Sequence, residues 1–258
     1  IWLSIVFLRF IFLTKLLNTD LMKTRLSVNV NKIATLRNAR GGNNPDILDL
    51  IKKIESFGAD GITVHPRNDE RHITLNDVYE ISKIVKTDFN IEGYPDKRFL
   101  KIINDVKPEQ VTLVPDAPDV ITSNRGWKES DLGFDLKSIV KSIKKLNSKV
   151  SLFIDPSISM VNFALDYGVD RIELYTGTYA DSFSNKRDII DKYISVSEYA
   201  YKNGIEINAG HDLNLENLRF FKKSIPNLYE VSIGHALICD SLSYGLEKTI
   251  KLYLEQLK

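Results

Sequence analysis

The four histidines of this chain are its clearest chemical signal, because each follows a hydrophobic run that is typical of a strand. His65 and His72 follow DGITV, His211 follows EINAG, and His235 follows VSIG. In barrels of alternating strands and helices, active sites gather at the C-terminal ends of the strands. We therefore expect the histidines to meet at one catalytic mouth.

Other polar residues also stand at the ends of hydrophobic runs. Glu92 closes FNIE, where partial burial should raise the carboxylate pKa and make this side chain a usable base. Asp155 closes SLFID, and Thr176 and Gly177 follow IELY. These positions extend the predicted site around several strand ends.

Basic residues and glycines suggest where anionic groups bind. The segment KIATLRNARGG, predicted as a loop, brings Lys32, Arg37 and Arg40 beside two glycines, and a guanidinium matches phosphate or carboxylate oxygens. Solvated surface arginines are the alternative. His211 and His235 each follow a glycine in loops where barrels often hold a phosphate.

Eight strand-like runs alternate with amphipathic segments, which predicts a (β/α)₈ barrel with a parallel sheet. The strands are predicted at residues 26–31, 61–64, 89–92, 110–114, 149–154, 171–174, 205–208 and 230–233. The helices are predicted at residues 46–58, 75–86, 96–106, 134–147, 158–168, 186–203, 214–223 and 239–257, with start signals at Asp46 and Ser157. No G-x-G-x-x-G turn supports a dinucleotide-binding sheet.

The segment after the fourth strand, VPDAPDVITSNRGWKESDLGFD, carries no clear element. Loops of this length are commonly lids. Disorder is the alternative, and Thr122 is the best candidate here for a contact with a ligand.

Composition limits the class of protein. The 258 residues are 43% hydrophobic and contain no Pro/Gly/Ser-rich linker, which favours one barrel domain over residues 22–258. The 35 basic and 34 acidic residues are interspersed, so no nucleic-acid footprint is visible and small-molecule partners are favoured. The single cysteine, Cys239, excludes an internal disulfide, suits a reducing cytosol, and is expected to be buried.

The first 21 residues differ from the rest of the chain. Their apolar run is interrupted by Arg9 and Lys15, is shorter than a membrane-spanning helix, and lacks a signal-peptide cleavage site. We expect this leader to lie outside the fold, with translation starting at Met22. A peripheral amphipathic tail or a weak signal anchor is the alternative.

The combined motifs resemble the pyridoxine 5'-phosphate synthase family of the deoxyxylulose-dependent vitamin B6 pathway, over about residues 24–257. The matching segments are VNVNKIATLRNARGG, DGITVHPRNDERHIT, NIE, SLFID, ELYTGTYAD, INAGH and SIGHA. The resemblance implies a (β/α)₈ barrel with extra helices and a cytoplasmic homo-octamer. It also implies the condensation of 1-deoxy-D-xylulose 5-phosphate with 3-amino-2-oxopropyl phosphate, without metal or organic cofactor.

The resemblance also implies roles for individual residues. His65 and Glu92 are proton acceptors, and His211 is the proton donor. The implied substrate contacts are Asn29, Asn31, Lys32, Arg40, Arg67, His72, Thr122, Asp212, Gly234 and His235.

Two departures from the family pattern concern substrate binding. Asn31 and Lys32 stand where many members have Asp and His, an exchange that keeps a hydrogen-bonding group and a potential cation. Asp212 stands where members have Gly after the donor histidine, and it adds bulk and negative charge near an expected phosphate.

Two other functions and a metal site are the alternatives to a pyridoxine 5'-phosphate synthase. A Schiff-base aldolase needs a desolvated lysine at a strand end, and Lys32 is the only tempting candidate. A silent sugar-phosphate-binding protein would keep the arginines and glycines but has no use for the histidines and Glu92. A metal site is disfavoured, because His65 and His72 lack the i, i+4 spacing of common zinc pairs and no cysteine cluster accompanies them.

We predict that a protein beginning at Met22 folds and works like the full chain, because the leader precedes the first strand and matches nothing in the family. Melting temperature and turnover should be comparable for the two proteins. An insoluble or inactive shortened protein would contradict this expectation, and recovery of the full chain with membranes would favour an anchor.

Overall fold

The structure is a computed structural model that describes residues 23–116, 123–183, 186–225 and 227–258. In these residues, eight parallel strands form a closed barrel in chain order, which confirms the (β/α)₈ prediction. The first and last strands pair to close it. The strands are β1 (Arg25–Asn29), β2 (Gly61–Val64), β3 (Asp88–Gly93), β4 (Gln110–Leu113), β5 (Lys149–Ile154), β6 (Arg171–Tyr175), β7 (Glu206–Gly210) and β8 (Leu228–Ile233).

Helices follow the strands around the barrel. Thr122, which was predicted to contact a ligand, and the leader lie outside the described residues. The helices are α1 (Asn31–Asn38), α2 (Ile47–Ser56), α3 (Leu75–Ile84), α4 (Lys97–Val106), α5 (Leu136–Lys144), α6 (Ile158–Tyr167), α7 (Gly177–Asp181), α8 (Lys186–Lys202), α9 (Leu218–Ser224), α10 (His235–Tyr244) and α11 (Leu246–Gln256). A short 3₁₀ helix spans Glu129–Asp131.

Two helix starts agree with the local sequence signals. The Asp46 carboxylate accepts hydrogen bonds from the N–H groups of Leu48 and Asp49, at 2.9 and 3.1 Å. The Ser157 hydroxyl accepts from the N–H of Met160 at 3.3 Å. Each side chain satisfies a backbone donor that the first helical turn leaves unpaired, which is why the helices begin there.

The interior of the barrel is polar. Asn208 of β7 and Arg171 of β6 both donate to the Gln110 side-chain oxygen of β4, at 3.1 and 2.6 Å. Since β4 is adjacent to neither β6 nor β7, the three side chains meet inside the ring. Ser27 and Thr63 form a further buried hydroxyl pair at 2.7 Å. The apolar side chains of the strands, such as fully buried Leu26, belong to the main hydrophobic core.

The segment after β1, predicted as a loop, is helix α1 instead. The Asn29 side-chain oxygen accepts from the N–H of Asn31 at 3.0 Å, so β1 ends two residues earlier than predicted. Ile33, Ala34 and Arg37 form the buried stripe of this helix. A stripe of three residues is too short to distinguish a helix from a loop in the sequence.

Two further expectations for the C-terminal part were wrong. The single helix predicted at residues 239–257 is two helices, α10 and α11, because Gly245 between them adopts a φ of +80°, which an α-helix does not allow. Cys239 is exposed on α10 instead of buried.

The described end of the loop after β4 packs against the barrel. Trp127 is fully buried, its indole N–H donates to the carbonyl of Leu113 at 2.8 Å, and its ring stacks on Tyr94 with centroids 5.9 Å apart. Arg125 and Asp131 form an ion pair at 2.6 Å. This end of the predicted lid is therefore anchored to β4.

We predict that Gly126→Ala destabilises the protein by about 2 kcal/mol or more, the cost of overpacking a tight contact. A Cβ at Gly126 would overlap the backbone of Ile154 and Asp155, which cannot move aside as a flexible side chain can. Urea unfolding measures the effect. Gly133→Ala is the matched control, because a Cβ at Gly133 meets nothing within 4 Å. Equal stability of the two variants would contradict the packing described for this loop.

Candidate active site

A cavity of about 580 Å³ lies at the C-terminal ends of the strands and gathers most of the predicted site residues. Arg40 is exposed and does not line it. The predicted residues that line it are Asn29, Asn31, Lys32, His65, Arg67, His72, Glu92, His211, Asp212, Gly234 and His235.

His65 and Glu92 form a nearly buried pair in this cavity. The His65 Nδ1 lies 3.7 Å from the Glu92 Oε2, and the two side chains are 8% and 13% exposed. Burial lowers the pKa of His65 well below its usual value, and the nearby charge of Arg67 adds a smaller effect in the same direction. Burial raises the pKa of Glu92 well above its usual value, and the charge of Glu173 adds a smaller effect in the same direction. These shifts leave His65 neutral at neutral pH, so that it can act as a base, and they favour the protonated form of Glu92.

Asn31 binds the backbone of His65. Its side-chain oxygen accepts a hydrogen bond from the backbone N–H of His65 at 3.0 Å. An aspartate at position 31 could accept the same hydrogen bond, so the exchange to Asn31 preserves this contact.

His72 is the second neutral histidine of the cavity. Its Nδ1 accepts from the N–H of Ile73 at 2.9 Å, which leaves the proton of the neutral ring on Nε2. Burial lowers the pKa of His72 to about 4, and the charges of Arg67 and Lys32 add to this effect. The Nε2–H can donate to a substrate oxygen.

The cations that line the cavity are Lys32, Arg67 and Arg71. Arg67 pairs with buried Asp116 at 2.6 Å, and Arg71 pairs with Asp69 at 2.8 Å. Lys32 is exposed at the start of α1. The basic side chains of the cavity therefore come from the segment after β2 as well as from α1. Sequence reasoning missed Arg71.

Arg37, one of the arginines expected at the mouth, has a structural contact instead. It makes two hydrogen bonds to Asp77 of α3, at 2.6 and 2.7 Å, and is buried. This bidentate pair ties α1 to α3.

Glu173 is a functional candidate that sequence reasoning missed. It lies on β6, is 4% exposed and lines the cavity. Its buried Oε2 has no hydrogen-bond partner in the described part of the chain. Burial, with the neighbouring charge of Glu230, raises the pKa of Glu173 to about 8, so this side chain holds a proton at neutral pH. A charged residue amid the apolar run RIELY was the available signal.

The second Gly-His pair forms the first turn of α10. Gly234, His235 and Ala236 line the cavity, and a Cβ at Gly234 would lie 3.1 Å from the Cβ of Asn29. The N–H groups of a helix start favour a phosphate or carboxylate. This end of the cavity suits one anionic group of a substrate.

The first Gly-His pair has a different conformation. His211 and Asp212 both adopt positive φ, +86° and +61°, and α9 begins only at Leu218. The His211 Nδ1 lies 2.6 Å from the Asp212 Oδ2. The His211 ring also contacts Tyr175 edge to face, with centroids 5.0 Å apart. The two Gly-His pairs are therefore not structural equivalents.

Sequence comparison identifies the family of the chain. Residues 26–258 match the family described as pyridoxal phosphate biosynthesis protein PdxJ. The chain is 57% identical over 236 residues to the pyridoxine 5'-phosphate synthase of Cytophaga hutchinsonii, covering 91% of this chain and 99% of the relative. It is 54% identical to that of Porphyromonas gingivalis, with the same coverage. The chain belongs to the pyridoxine 5'-phosphate synthase family.

Structural comparison supports the fold. A 4-hydroxy-2-oxoglutarate aldolase structure matches with a TM-score of 0.62 and 14% identity, covering 92% of this chain and 96% of that one. A thiamine phosphate pyrophosphorylase from Pyrococcus furiosus matches with a TM-score of 0.60 and 13% identity, at the same coverage. At these identities the likeness concerns the barrel alone.

Among the described residues, no helix is long and apolar enough to cross a membrane. No group of three or more His, Cys, Asp or Glu side chains in the same residues could hold a metal ion.

We predict that Glu173→Gln gains stability relative to the wild type as the pH rises. The folded protein holds the Glu173 proton up to about pH 8, whereas the ordinary pKa is 4.5. Ionisation therefore penalises the folded state increasingly between these values, and glutamine cannot ionise. The free energy of unfolding of each protein is measured in urea at about pH 5 and about pH 8.5. The difference between the variant and the wild type should change in favour of the variant by more than about 1 kcal/mol from the lower to the higher pH.

The control for this experiment is Glu198→Gln, which changes an exposed carboxylate on α8. Its difference from the wild type should stay constant with pH. A Glu173→Gln difference that is equally constant would mean that Glu173 is ionised in the folded protein.

Proposed function

We propose that this protein condenses 1-deoxy-D-xylulose 5-phosphate with 3-amino-2-oxopropyl phosphate to pyridoxine 5'-phosphate, releasing phosphate and water. The observation that carries the proposal is the single cavity that holds the His65–Glu92 pair together with His211, in a chain of this family. Joining an amine to a ketone and then aromatising the ring requires several proton transfers, for which these side chains are suited.

The charge states suggest an order for the proton transfers. Neutral His65 can accept a proton from the substrate at once. The raised pKa of Glu92 favours its protonated form, and in that form it can accept another proton only after it has passed this one on. We therefore assign His65 to an earlier proton abstraction than Glu92, and His211 to proton donation to the departing oxygens.

Two phosphorylated substrates need two anion sites. The N-terminus of α10, with Gly234 and His235, supports one of them. Lys32, Arg67 and Arg71 support the other, and the neutral His72 can donate to a substrate oxygen between them. The wider assembly, a cytoplasmic homo-octamer, is proposed from the family resemblance.

Incubation of the purified protein with both substrates tests this function. Mass spectrometry should detect pyridoxine 5'-phosphate, and phosphate should appear in equal amount, only when both substrates are present. Absence of the product would reject the proposal and would favour a catalytically silent sugar-phosphate-binding protein. Borohydride trapping of a covalent adduct on Lys32 would favour an aldolase, although the exposure of Lys32 speaks against the desolvation that this chemistry needs.

We predict that Glu92→Gln lowers kcat by about 10² to 10⁴, because glutamine keeps the shape but removes the basic oxygen. The KM values should change far less, since the side chain acts in proton transfer. Steady-state kinetics with both substrates measures the split.

Arg71→Ala is the comparison variant, because it removes a cation at the cavity edge and should mainly raise KM. Near-normal kcat in Glu92→Gln would show that the assigned chemistry is wrong even if the protein makes the product.

A further inference from the structure

We propose that Asp212 is a positioning residue that holds the His211 ring in the orientation and tautomer needed for proton donation. This inference rests on the proposed function and deepens it. It assigns to Asp212 a contact with His211 in place of the substrate contact that the family resemblance implies.

The pair has the geometry of a charge-assisted hydrogen bond. The His211 Nδ1 and the Asp212 Oδ2 are 2.6 Å apart. This hydrogen bond is also the main cause that lowers the pKa of Asp212 below its usual value. The carboxylate is therefore ionised at neutral pH and accepts the Nδ1–H of His211.

The backbone explains how two adjacent side chains meet. In a strand, consecutive side chains point to opposite faces. His211 and Asp212 instead both adopt the left-handed region, with φ of +86° and +61°. Aspartate tolerates this region, whereas a histidine there is strained by about 1 to 3 kcal/mol. The strain must be compensated by surrounding contacts.

Those contacts come from two neighbouring segments. Thr176 donates its hydroxyl to the carbonyl of Gly210 at 2.7 Å and also to the carbonyl of His211. The Asn217 side-chain amide donates to the carbonyl of Asp212 at 3.1 Å. The backbone of this turn is thus fixed at three successive carbonyls. None of these contacts involves the Asp212 carboxylate, so we expect the turn to persist when that carboxylate is removed.

The consequence concerns the other ring nitrogen. With Nδ1–H donated to Asp212, Nε2 is the ring nitrogen through which we expect His211 to donate its proton to a substrate oxygen. When His211 carries both protons, the pair has no net charge. The negative charge of Asp212, unexpected beside a phosphate site, is then balanced by its neighbour.

The kinetic test compares Asp212→Gly and Asp212→Asn with the wild type. Glycine removes the partner, and we expect kcat to fall about tenfold or more while KM changes by less than about threefold. Asparagine keeps an oxygen acceptor without the charge, so the kcat of Asp212→Asn should lie between those of the wild type and Asp212→Gly. A rise in KM with unchanged kcat would overturn the proposal in favour of a substrate contact.

Asn147→Gly is the matched control for the backbone. Asn147 is exposed, has a φ of +66° and lies between α5 and β5, away from the cavity. Glycine adopts a positive φ without steric cost, so both glycine variants should fold and should melt close to the wild-type temperature. Only Asp212→Gly should lose turnover.

A spectroscopic test does not depend on activity. The ¹⁵N shifts of the His211 ring should show a protonated Nδ1 in the wild type and a changed nitrogen pattern in Asp212→Gly. Identical ring shifts in the two proteins would overturn the pairing. If the wild type makes no pyridoxine 5'-phosphate, the proposed function fails, whereas the shifts still decide whether Asp212 positions His211.

Discussion

The closure of eight parallel strands into one ring is the constraint on which the rest of this structure depends. Because all strands point the same way, their C-terminal ends lie at one rim, and the side chains that follow them share one cavity. Glu92 lies within β3, His65 follows β2, and His211 follows β7. The groups that we propose to react are thus placed by the hydrogen-bonded backbone of the strands that carry or precede them.

Burial at this rim then sets the charges. A buried imidazole loses its proton and a buried carboxyl group keeps its own, since the low dielectric disfavours the charged forms. His65 and His72 are neutral at neutral pH, Glu173 is protonated, and the raised pKa of Glu92 favours its protonated form as well. The cavity therefore carries fewer charges than its sequence suggests, which leaves its basic side chains to face the phosphate groups of the proposed substrates.

Much of the fold could be predicted from the sequence, because strand runs and helix caps are local signals. The order of the eight strands and the helix starts after Asp46 and Ser157 follow from residues close in the chain. The prediction failed where a short stripe gave too little signal, as in α1. It also failed where one residue, Gly245, interrupts an otherwise helical pattern.

For the site, the sequence by itself determined which polar residues end the strands, and the parallel barrel makes these residues neighbours. Only the tertiary structure decided which of them line the cavity and what they contact. Arg37 lies on Asp77, a residue 40 positions away, instead of in the cavity. Glu173 faces inward from β6, and Asp212 turns onto His211 through a left-handed backbone. Such contacts depend on burial and on long-range hydrogen bonds, which the local hydrophobic pattern does not encode.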